Sequence, residues 1–455
     1  MRNLIYLGAA FLVTLMGCVA TPSESDKKPR AAVSSDAGLV LRVDGESIVL
    51  GQAAAPPLSA QVFAARVQQM ASAGHDVDAG RFVRTYPDLA EQAVLSPEVS
   101  PPTQQTIAVW LDGLAAPRKG GWALLVVDRA ENPGRYKAWE QQRAAAWSAL
   151  RKGGFAEVGQ QSLVPPLDVP APWSSFDAVR LRATALLASS RPAEAATQFE
   201  QAAQIAVRWD SRVAARATLF AAFSHKLANN ADAASKARAE ALQFVSLPSV
   251  DDPMVLRLLL ETKEFANAST DPVSQRQIRA RLGRVEMQRG SPQAALLAWR
   301  AAENDAGAEP SLNQLRLGQA EALVGLGQDE PAIAMLIGLS RTDMRPRALI
   351  MLGLIQMRRG EVEIALTVLR EAVKATTAQT HPDVYADAGL ALLSVGEAET
   401  GLALLGESRA AYRALGDSDA VRRILDNQLR YAEAVGDTSA AREAKRDLAR
   451  LRVGS

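Results

Sequence analysis

Residues 281–304 read RLGRVEMQRGSPQAALLAWRAAEN, and this stretch decides the fold. Small residues recur in it at fixed distances: Gly290 follows Gly283 by seven residues, and Ala295 follows Gly283 by twelve. Apolar side chains between these positions return every three or four residues, which is the period of an α-helix. The stretch therefore predicts two helices joined by a turn at Gly290, because glycine accepts the left-handed conformation that ends many helices.

The same spacing returns along much of the chain. Ala320, Gly353 and Gly389 stand where Gly283 stands, and a glycine follows each of them after seven residues. The equivalent positions lie 33 to 40 residues apart, except for 61 residues before Gly283, where an additional helix over 254–265 is expected. With the weaker copies included, these positions are occupied by Ala183, Ala222, Gly283, Ala320, Gly353, Gly389 and Leu429.

This pattern resembles the tetratricopeptide repeat over roughly residues 177–451. In that family, positions 8 and 20 of each unit are small so that two helices can cross closely, and positions 24 and 27 are larger. Two departures are that the aromatic residue often found at position 11 is missing and that the helix-ending proline is mostly absent. A single hairpin cannot bury its apolar face alone, so the units are expected to stack. We therefore predict an all-α, tetratricopeptide-like helical-hairpin solenoid over 174–455.

The N-terminus has the composition of an export signal. One arginine precedes the apolar run 4–15, which is shorter than the about 20 residues that span a bilayer. Cys18, the only cysteine of the chain, directly follows Gly17. This arrangement resembles the lipobox of bacterial lipoproteins, which implies that residues 1–17 are a signal peptide and that Cys18 carries lipid. Val19 after the cysteine implies attachment to the outer membrane, facing the periplasm.

Between the lipobox and the repeats the sequence predicts two further segments. The polar, proline-interrupted residues 18–37 cannot bury enough apolar surface to fold, so a flexible, lipidated tether is expected. Residues 38–165 are predicted to form a small, mainly helical N-terminal domain with a short β-hairpin around Asp44-Gly45. The apolar run 122–127 fits either a strand or a buried helix. The prolines of 160–174 mark the expected boundary.

The composition excludes several classes of function. The 455 residues include 51 basic and 50 acidic side chains, so the chain lacks the basic excess of a typical nucleic-acid-binding protein. One cysteine and three widely separated histidines predict neither a metal site nor a cofactor. The sequence contains no phosphate-binding loop and no nucleophile elbow. We therefore expect a protein that is not an enzyme.

The expected function is the binding of protein or peptide partners in a groove. In the tetratricopeptide family, positions 2, 5, 9 and 12 of the first helix of each unit line a concave surface. The same positions of this chain mix basic and apolar side chains, which suits an extended or helical peptide with carboxylates as possible ionic partners. The candidate groove residues are Arg216, Phe223, Lys226, Arg284, Met287, Arg347, Ile350, Leu354 and Met357.

Two alternatives are compatible with the same sequence. In the first, residues 38–165 are a ligand-binding or enzymatic module and the repeats are a docking arm. The five tryptophans between Trp110 and Trp173 would then form either a stacking platform for a flat ligand or simply a helical core. In the second, the chain is a structural or self-associating lipoprotein. The leading prediction is a membrane-anchored, non-enzymatic adaptor or scaffold in the cell envelope, with protein partners and no nucleic acid.

Overall fold

A computed structural model gives the architecture of most of the chain. The signal peptide predicted over 1–17 and the predicted lipid attachment at Cys18 lie outside the residues that it describes. The described residues are 31–34, 40–44, 47–50, 59–73, 76–114, 121–161, 163–166, 172–247, 250–265, 273–306 and 309–453.

In the described part of the chain, three short strands precede the helices: β1 (Ala31–Ser34), β2 (Val40–Asp44) and β3 (Ser47–Leu50). They form one antiparallel sheet in the order β1-β2-β3. In the β2–β3 pair, Leu41 is opposite Leu50 and Asp44 is opposite Ser47. Strand β1 lies inside the segment 18–37, for which the sequence predicted a flexible tether.

After the sheet, the described residues up to 166 form seven helices. They are α1 (Ala60–Ser72), α2 (Asp76–Thr85), α3 (Pro87–Leu95), α4 (Pro101–Leu114), α5 (Gly121–Glu131), α6 (Pro133–Lys152) and α7 (Phe155–Gln160). Helix α5 contains the run 122–127, which is therefore a helix and not a strand. The carboxylate of Asp112 explains where α5 begins, because its two oxygens accept from the backbone N–H groups of Trp122 and Ala123, both at 2.9 Å. These bonds satisfy donors that a helix N-terminus leaves without an internal partner.

The remaining helices follow one another mostly as hairpins, as the repeat pattern predicted. The first repeats comprise α8 (Trp173–Ala188), α9 (Pro192–Ala206), α10 (Ser211–Leu227) and α11 (Ala231–Phe244), and the additional helix is α12 (Pro253–Glu261). The later repeats comprise α13 (Gln275–Gln288), α14 (Pro292–Glu303), α15 (Leu312–Gly325), α16 (Asp329–Leu339), α17 (Arg345–Arg358), α18 (Val362–Lys374), α19 (Pro382–Ser394), α20 (Ala398–Ala414), α21 (Ser418–Val435) and α22 (Thr438–Val453).

The turns inside the hairpins confirm the register read from the sequence. The five glycines predicted there all have positive φ angles, between 71° and 90°. In two of the weaker repeats, Ser190 and Asn229 take the same place and also have positive φ, at 57° and 56°. A side chain is disfavoured in this left-handed region, least so for asparagine. The hairpin turn therefore imposes its backbone conformation even where glycine is absent. The five turn glycines are Gly290, Gly327, Gly360, Gly396 and Gly436.

Small residues at positions 8 and 20 let the two helices of a hairpin cross closely. A methyl group added to Gly389 of α19 would lie 2.9 Å from the carbonyl oxygen of Gly401 in α20, and the converse distance is 2.8 Å. A methyl group added to Gly353 of α17 would lie 2.8 Å from Leu369 of α18. All three separations are well below ordinary van der Waals contact. The predicted crossing of positions 8 and 20 is confirmed at Gly389 and Gly401.

The contacts divide the chain into two compact units. The first unit contains residues 20–294 and 304–309, and the second contains residues 295–303 and 310–455. In the second unit, apolar side chains of α17, α18 and α19 form a continuous buried cluster that includes Leu349, Leu369 and Leu392. Such a core between neighbouring hairpins is what a stacked repeat requires.

In the first unit, the N-terminal helices share a core with the first repeats. Phe63, Leu89 and Trp122 belong to the same buried cluster as Phe176 and Trp209. The rings of Trp122 and Trp209 meet edge to face with centroids 5.0 Å apart. The sequence predicted a separate domain over 38–165, whereas these contacts join its helices to the repeats that follow.

The glycine crossing in the second unit can be tested with two identical substitutions. We expect Gly389→Ala to lower the free energy of unfolding by about 1–3 kcal/mol, because the new methyl group overpacks a backbone contact. Gly406→Ala adds the same methyl group to helix α20, where no heavy atom would lie within 4 Å. That control should be neutral or stabilising by about 0.5–1 kcal/mol, as alanine favours a helix over glycine. Urea unfolding of both variants measures the difference, and equal midpoints would contradict the crossing.

Candidate functional site

The candidate binding surface is a layer of helices. In the second unit, the first helices of successive hairpins, α15, α17, α19 and α21, contact one another side by side. We call the residues at positions 2, 5, 9 and 12 of the first helices, together with other side chains between them, the inner face. In the first unit, the corresponding first helices are α8, α10 and α13.

Helix α3 covers part of the inner face of the first unit. Glu91 of α3 accepts two hydrogen bonds from the Arg216 guanidinium of α10, at 2.8 and 2.7 Å. Arg216 also lies 3.6 Å from the carboxylate of Asp252, which caps the N-terminus of α12. Arg216 is one of the predicted groove residues, and its charge is neutralised from within the chain.

A second arginine, just after the end of α13, holds the beginning of α3. The Arg289 guanidinium donates to both oxygens of Asp88, at 2.9 and 3.0 Å. It also stacks 4.9 Å from the ring centroid of Tyr86. The Tyr86 hydroxyl in turn donates to the backbone carbonyl of Arg289 at 2.9 Å. Charge-assisted bidentate pairs of this kind are among the stronger polar contacts in proteins.

The two carboxylates respond differently to their burial. Burial raises the pKa of Glu91, and the neighbouring Arg216 offsets this only in part. Burial also acts to raise the pKa of Asp88, but the Arg289 guanidinium, together with the charge of Arg216 and a backbone hydrogen bond, outweighs it, so the net pKa is lowered. The pKa values of Arg216 and Arg289 are raised overall, because the carboxylates outweigh the effect of burial. Asp88 and the two arginines therefore stay charged at neutral pH.

Helix α3 is an integral part of the first unit. Leu89, Ala90 and Val94 of this helix are almost fully buried in the shared core. The contacts of α3 with Arg216 and Arg289 are therefore part of the folded core of the first unit. Two further candidate residues of α10 are also engaged inside the unit: Phe223 is 2% exposed, and Lys226 donates to the carbonyl of Glu261 at 2.7 Å and pairs with Glu264 at 2.9 Å.

The other candidates of the first unit are more accessible. Arg284 of α13 is exposed, and Met287 on the same helix is half-buried. In the second unit, Arg347 of α17 donates to Asp383 of α19 at 2.7 Å. Ile350 is buried, whereas Leu354 and Met357 are half-buried. The structure thus brings Arg347, Ile350, Leu354 and Met357 together on one helix of the inner face of the second unit.

Asp387 of α19 is a residue of this surface that the sequence did not single out. The side chain is reached by solvent, yet it lies among protein atoms and other charges. Partial loss of hydration, with the charges of Asp383 and Glu321, raises the pKa of Asp387 to about 7, against the opposing influence of Arg347 and Arg423. Within the described part of the chain, Asp387 has no hydrogen bond or ion pair. Asp387 occupies position 6 of its repeat. The family's lining positions are 2, 5, 9 and 12, so their carry-over onto this chain did not select this residue.

The tryptophans of the N-terminal region do not form a ligand platform. Trp122, Trp139, Trp147 and Trp173 are each at most 5% exposed, and Trp110 is half-buried. Side chains so deeply buried cannot stack on a ligand. The interpretation as a helical core is confirmed, and the stacking platform is wrong.

Two searches of the described residues bear on other kinds of site. No group of three or more histidine, cysteine, aspartate and glutamate side chains is arranged there to hold a metal ion. No helix in the same part of the chain is long and apolar enough to cross a bilayer.

Comparisons with known proteins give little beyond the fold. No protein-family model and no curated protein matches the chain. Similar solved structures include the APC/C hetero-tetramer Cut9-Hcn1, with 12% identity, coverage of 86% of this chain and 92% of that chain, and a TM-score of 0.26. The human IFIT1 dimer with m7Gppp-AAAA has 14% identity, coverage of 83% and 82%, and a TM-score of 0.21. A circular tandem repeat protein with novel repeat topology has 15% identity, coverage of 86% and 88%, and a TM-score of 0.15.

These scores are too low to carry an argument about partners. The tetratricopeptide-like helical-repeat fold of this chain follows from its own hairpins, turn angles and helix crossings. The function has to be argued from the inner face itself.

The attachment of α3 can be tested by removing one carboxylate. We expect Glu91→Ala to lower the free energy of unfolding by about 2–5 kcal/mol, since Arg216 would stay largely buried beside Asp252 alone. The matched control is Glu194→Ala, which breaks the pair between Arg191 and Glu194, whose side chains are 44% and 56% exposed. Exposed pairs contribute little, so the control should change stability by less than about 1 kcal/mol. Urea unfolding measures both effects. Equal effects of the two substitutions would contradict the attachment of α3 through the pair between Glu91 and Arg216.

Proposed function

We propose that the chain is a lipid-anchored, non-enzymatic scaffold that binds a protein partner on the inner face of its second unit. The observation that carries the proposal is the contrast between the two inner faces. In the first unit, Arg216, Phe223 and Lys226 are engaged within the chain. In the second, Leu354 and Met357 are half-buried, and other side chains of the surface are reached by solvent.

The chemistry of this surface suits a protein ligand. The inner face of the second unit combines half-buried apolar side chains with charged ones, and its backbone is held rigidly by stacked helices. Such a surface loses little conformational freedom when a partner binds. Apolar side chains on helices at neighbouring positions are also the usual anchors for an amphipathic helix. The half-buried apolar residues of this face are Leu317, Val324, Leu354, Met357 and Leu390.

The anchor is the second part of the proposal. It is supported by the apolar run 4–15, by Gly17 before Cys18 and by the absence of any other cysteine from the sequence. Two or three acyl chains, each adding about 0.8 kcal/mol per buried methylene, hold a protein stably at a membrane. The partner would then be met at the surface of a membrane in the cell envelope, and Val19 favours the outer membrane.

The anchor can be tested by metabolic labelling with palmitate. The wild-type chain should incorporate the label and sediment with membranes, because the thiol of Cys18 is the proposed acceptor. Cys18→Ser should lose both the label and the membrane association. Val19→Ala is the matched control and should keep the label. Equal labelling of the Cys18→Ser chain would refute lipid attachment at this residue.

The partner surface can be tested by site-specific photocrosslinking in the cells that make the protein. A photoreactive phenylalanine analogue at Met357, on the inner face of α17, should form discrete adducts with a second protein. The control position is Ile364 on α18 of the same hairpin, which is 52% exposed but lies outside the inner face. We expect adducts at Met357 to exceed those at Ile364 by about tenfold, the ratio that about 1.4 kcal/mol of preferential binding gives. Adducts of equal yield at both positions, or none at Met357, would argue against the surface.

A further inference from the structure

The basic side chains of the inner faces are largely neutralised by the chain itself. This matters because scattered arginines, read from the sequence, suggest an anionic partner. Five of the basic residues at these positions form ion pairs with carboxylates of the same unit. The pairs are Arg180–Asp177 at 2.5 Å, Arg216–Glu91 at 2.7 Å, Lys226–Glu264 at 2.9 Å, Arg347–Asp383 at 2.7 Å and Arg430–Asp426 at 2.8 Å.

An anionic partner would gain little from cations that are already paired. To bind Arg347, for example, a carboxylate would have to replace Asp383, which is fixed on α19 and needs no ordering. Replacement of one carboxylate by another changes the net interaction little, while the incoming group loses its own hydration. The charges that select a partner are therefore the ones left over after the internal pairs are counted.

On α17 and α19 of the second unit the charge left over is a carboxylate. Around Asp387 lie the carboxylates of Glu321 on α15 and Asp383 on α19, and the guanidinium groups of Arg347 on α17 and Arg423 on α21. The opposite charges of Arg347 and Asp383 cancel each other in their ion pair. Among the described side chains at the inner face of α17 and α19, Asp387 is then the charge that has no hydrogen bond or ion pair. Asp387 also interacts with the Tyr412 hydroxyl of α20 electrostatically.

Apolar side chains lie on the same helices as this carboxylate. Leu354 and Met357 of α17 and Leu390 of α19 are half-buried. Leu390 follows Asp387 by three residues, so the two side chains lie on the same side of α19. A partner that satisfies both must combine a cation with apolar side chains on one face.

The first unit shows what kind of segment such an inner face accepts. There the occupant is a helix, α3, and its Asp88 and Glu91 are three residues apart. Residues with this spacing lie on one face of a helix. They reach arginines of two different elements, Arg216 of α10 and Arg289 after α13. A helix is thus a suitable shape for reaching charges on neighbouring first helices, and in the second unit the sign of the charge is reversed.

We infer that the inner face of α17 and α19 binds an amphipathic helix of a partner protein that presents a lysine or arginine to Asp387 and apolar side chains to Leu354 and Leu390. This inference rests on the proposed function and adds the chemistry of the partner.

Binding of the cation should also depend on pH, because a cation binds the ionised carboxylate of Asp387 more tightly than the protonated one. Since the pKa of free Asp387 is raised to about 7, the carboxylate is largely ionised at pH 8 and largely protonated at pH 5.5. Affinity for a cationic helix should therefore fall as the pH is lowered.

The inference can be tested with three synthetic helices of 18 residues that differ in charge only. Each carries leucine at positions three and four residues apart on an alanine-rich background, and the residues flanking the leucine stripe are lysine, glutamate or glutamine. Binding to the full-length chain in detergent is measured by fluorescence anisotropy. At pH 8 we expect the lysine helix to bind about tenfold more tightly than the glutamate helix. The preference should shrink severalfold at pH 5.5, and the affinity of the glutamine helix should change little.

Variants of the chain assign the effect to Asp387. Asp387→Asn, which has the same shape, should lower the affinity for the lysine helix about fivefold or more, and Asp387→Glu should restore most of it. The matched control is Glu399→Gln on α20, which removes an exposed carboxylate outside the inner face. It should leave binding unchanged. A thermal melt of each variant checks that folding is preserved.

Three outcomes would overturn the inference: equal affinity for the lysine and glutamate helices, an unchanged affinity in Asp387→Asn, or no binding of any of the three helices. The proposed function is tested independently of this inference. It is tested by adducts at Met357, which do not depend on the charge of the partner. Adducts at Met357 without a preference for the lysine helix would mean that the surface binds a partner of different chemistry.

Discussion

The close crossing of two helices within each hairpin is the constraint on which the repeats of this chain depend. At Gly389 and Gly401 the backbones of α19 and α20 approach so closely that a single methyl group would contact a carbonyl oxygen at less than 3 Å. This approach sets the angle between the two helices and hence the direction in which the next hairpin leaves. The larger residues at positions 24 and 27 can then fill the space behind the crossing, as Leu405 does against Leu393 and Ile424.

The stacking of hairpins produces a layer of first helices whose exposed side chains are not needed for the core. Their use differs between the two units. In the first unit, the chain covers this layer with its own helix α3, and Asp88 and Glu91 match the arginines that they meet. In the second unit, no described residue pairs with Asp387, and apolar side chains next to it remain half-buried. The same repeat plan thus supports an internal contact in the first unit and, as proposed, leaves a surface for a partner in the second.

Much of the fold could be predicted from the sequence, because the repeat depends on local spacing. The seven-residue step from position 8 to the turn identifies Gly327, Gly360 and Gly396 without knowledge of any distant contact. The repeats at Ala183 and Ala222, whose turns lie at Ser190 and Asn229, matched the pattern only weakly, since the backbone conformation of these turns is imposed by the hairpin and not by the residue. The run 122–127 could not be assigned, because the carboxylate of Asp112 that caps helix α5 is identified only once the fold is known.

The candidate site was less predictable, because its chemistry depends on contacts between distant parts of the chain. Arg289 meets Asp88, which is 201 residues away, and Arg216 meets Glu91, which is 125 residues away. Nothing in the local sequence of α3 distinguishes these acids from ordinary acidic residues in the first turns of a helix. Carrying over the family's lining positions therefore selected the first helices of the hairpins but left open which of their charged side chains are paired within the chain. It predicted an accessible arginine at Arg347, whereas in the structure Arg347 is paired with Asp383 and the neighbouring Asp387 is not paired.

Internal neutralisation of the arginines also bears on selectivity. Arg347 and Asp383 are 41% and 36% exposed, so their pair contributes little to stability on its own. Its larger effect is on recognition, because a guanidinium held by a carboxylate of the same surface no longer attracts the many acidic segments of other proteins. A binding surface becomes selective as much by weakening wrong contacts as by strengthening right ones. Pairing of Arg347 leaves the half-buried apolar side chains and the carboxylate of Asp387 on α17 and α19 to select the proposed partner, which is a narrower requirement than a mixed array of open cations would set.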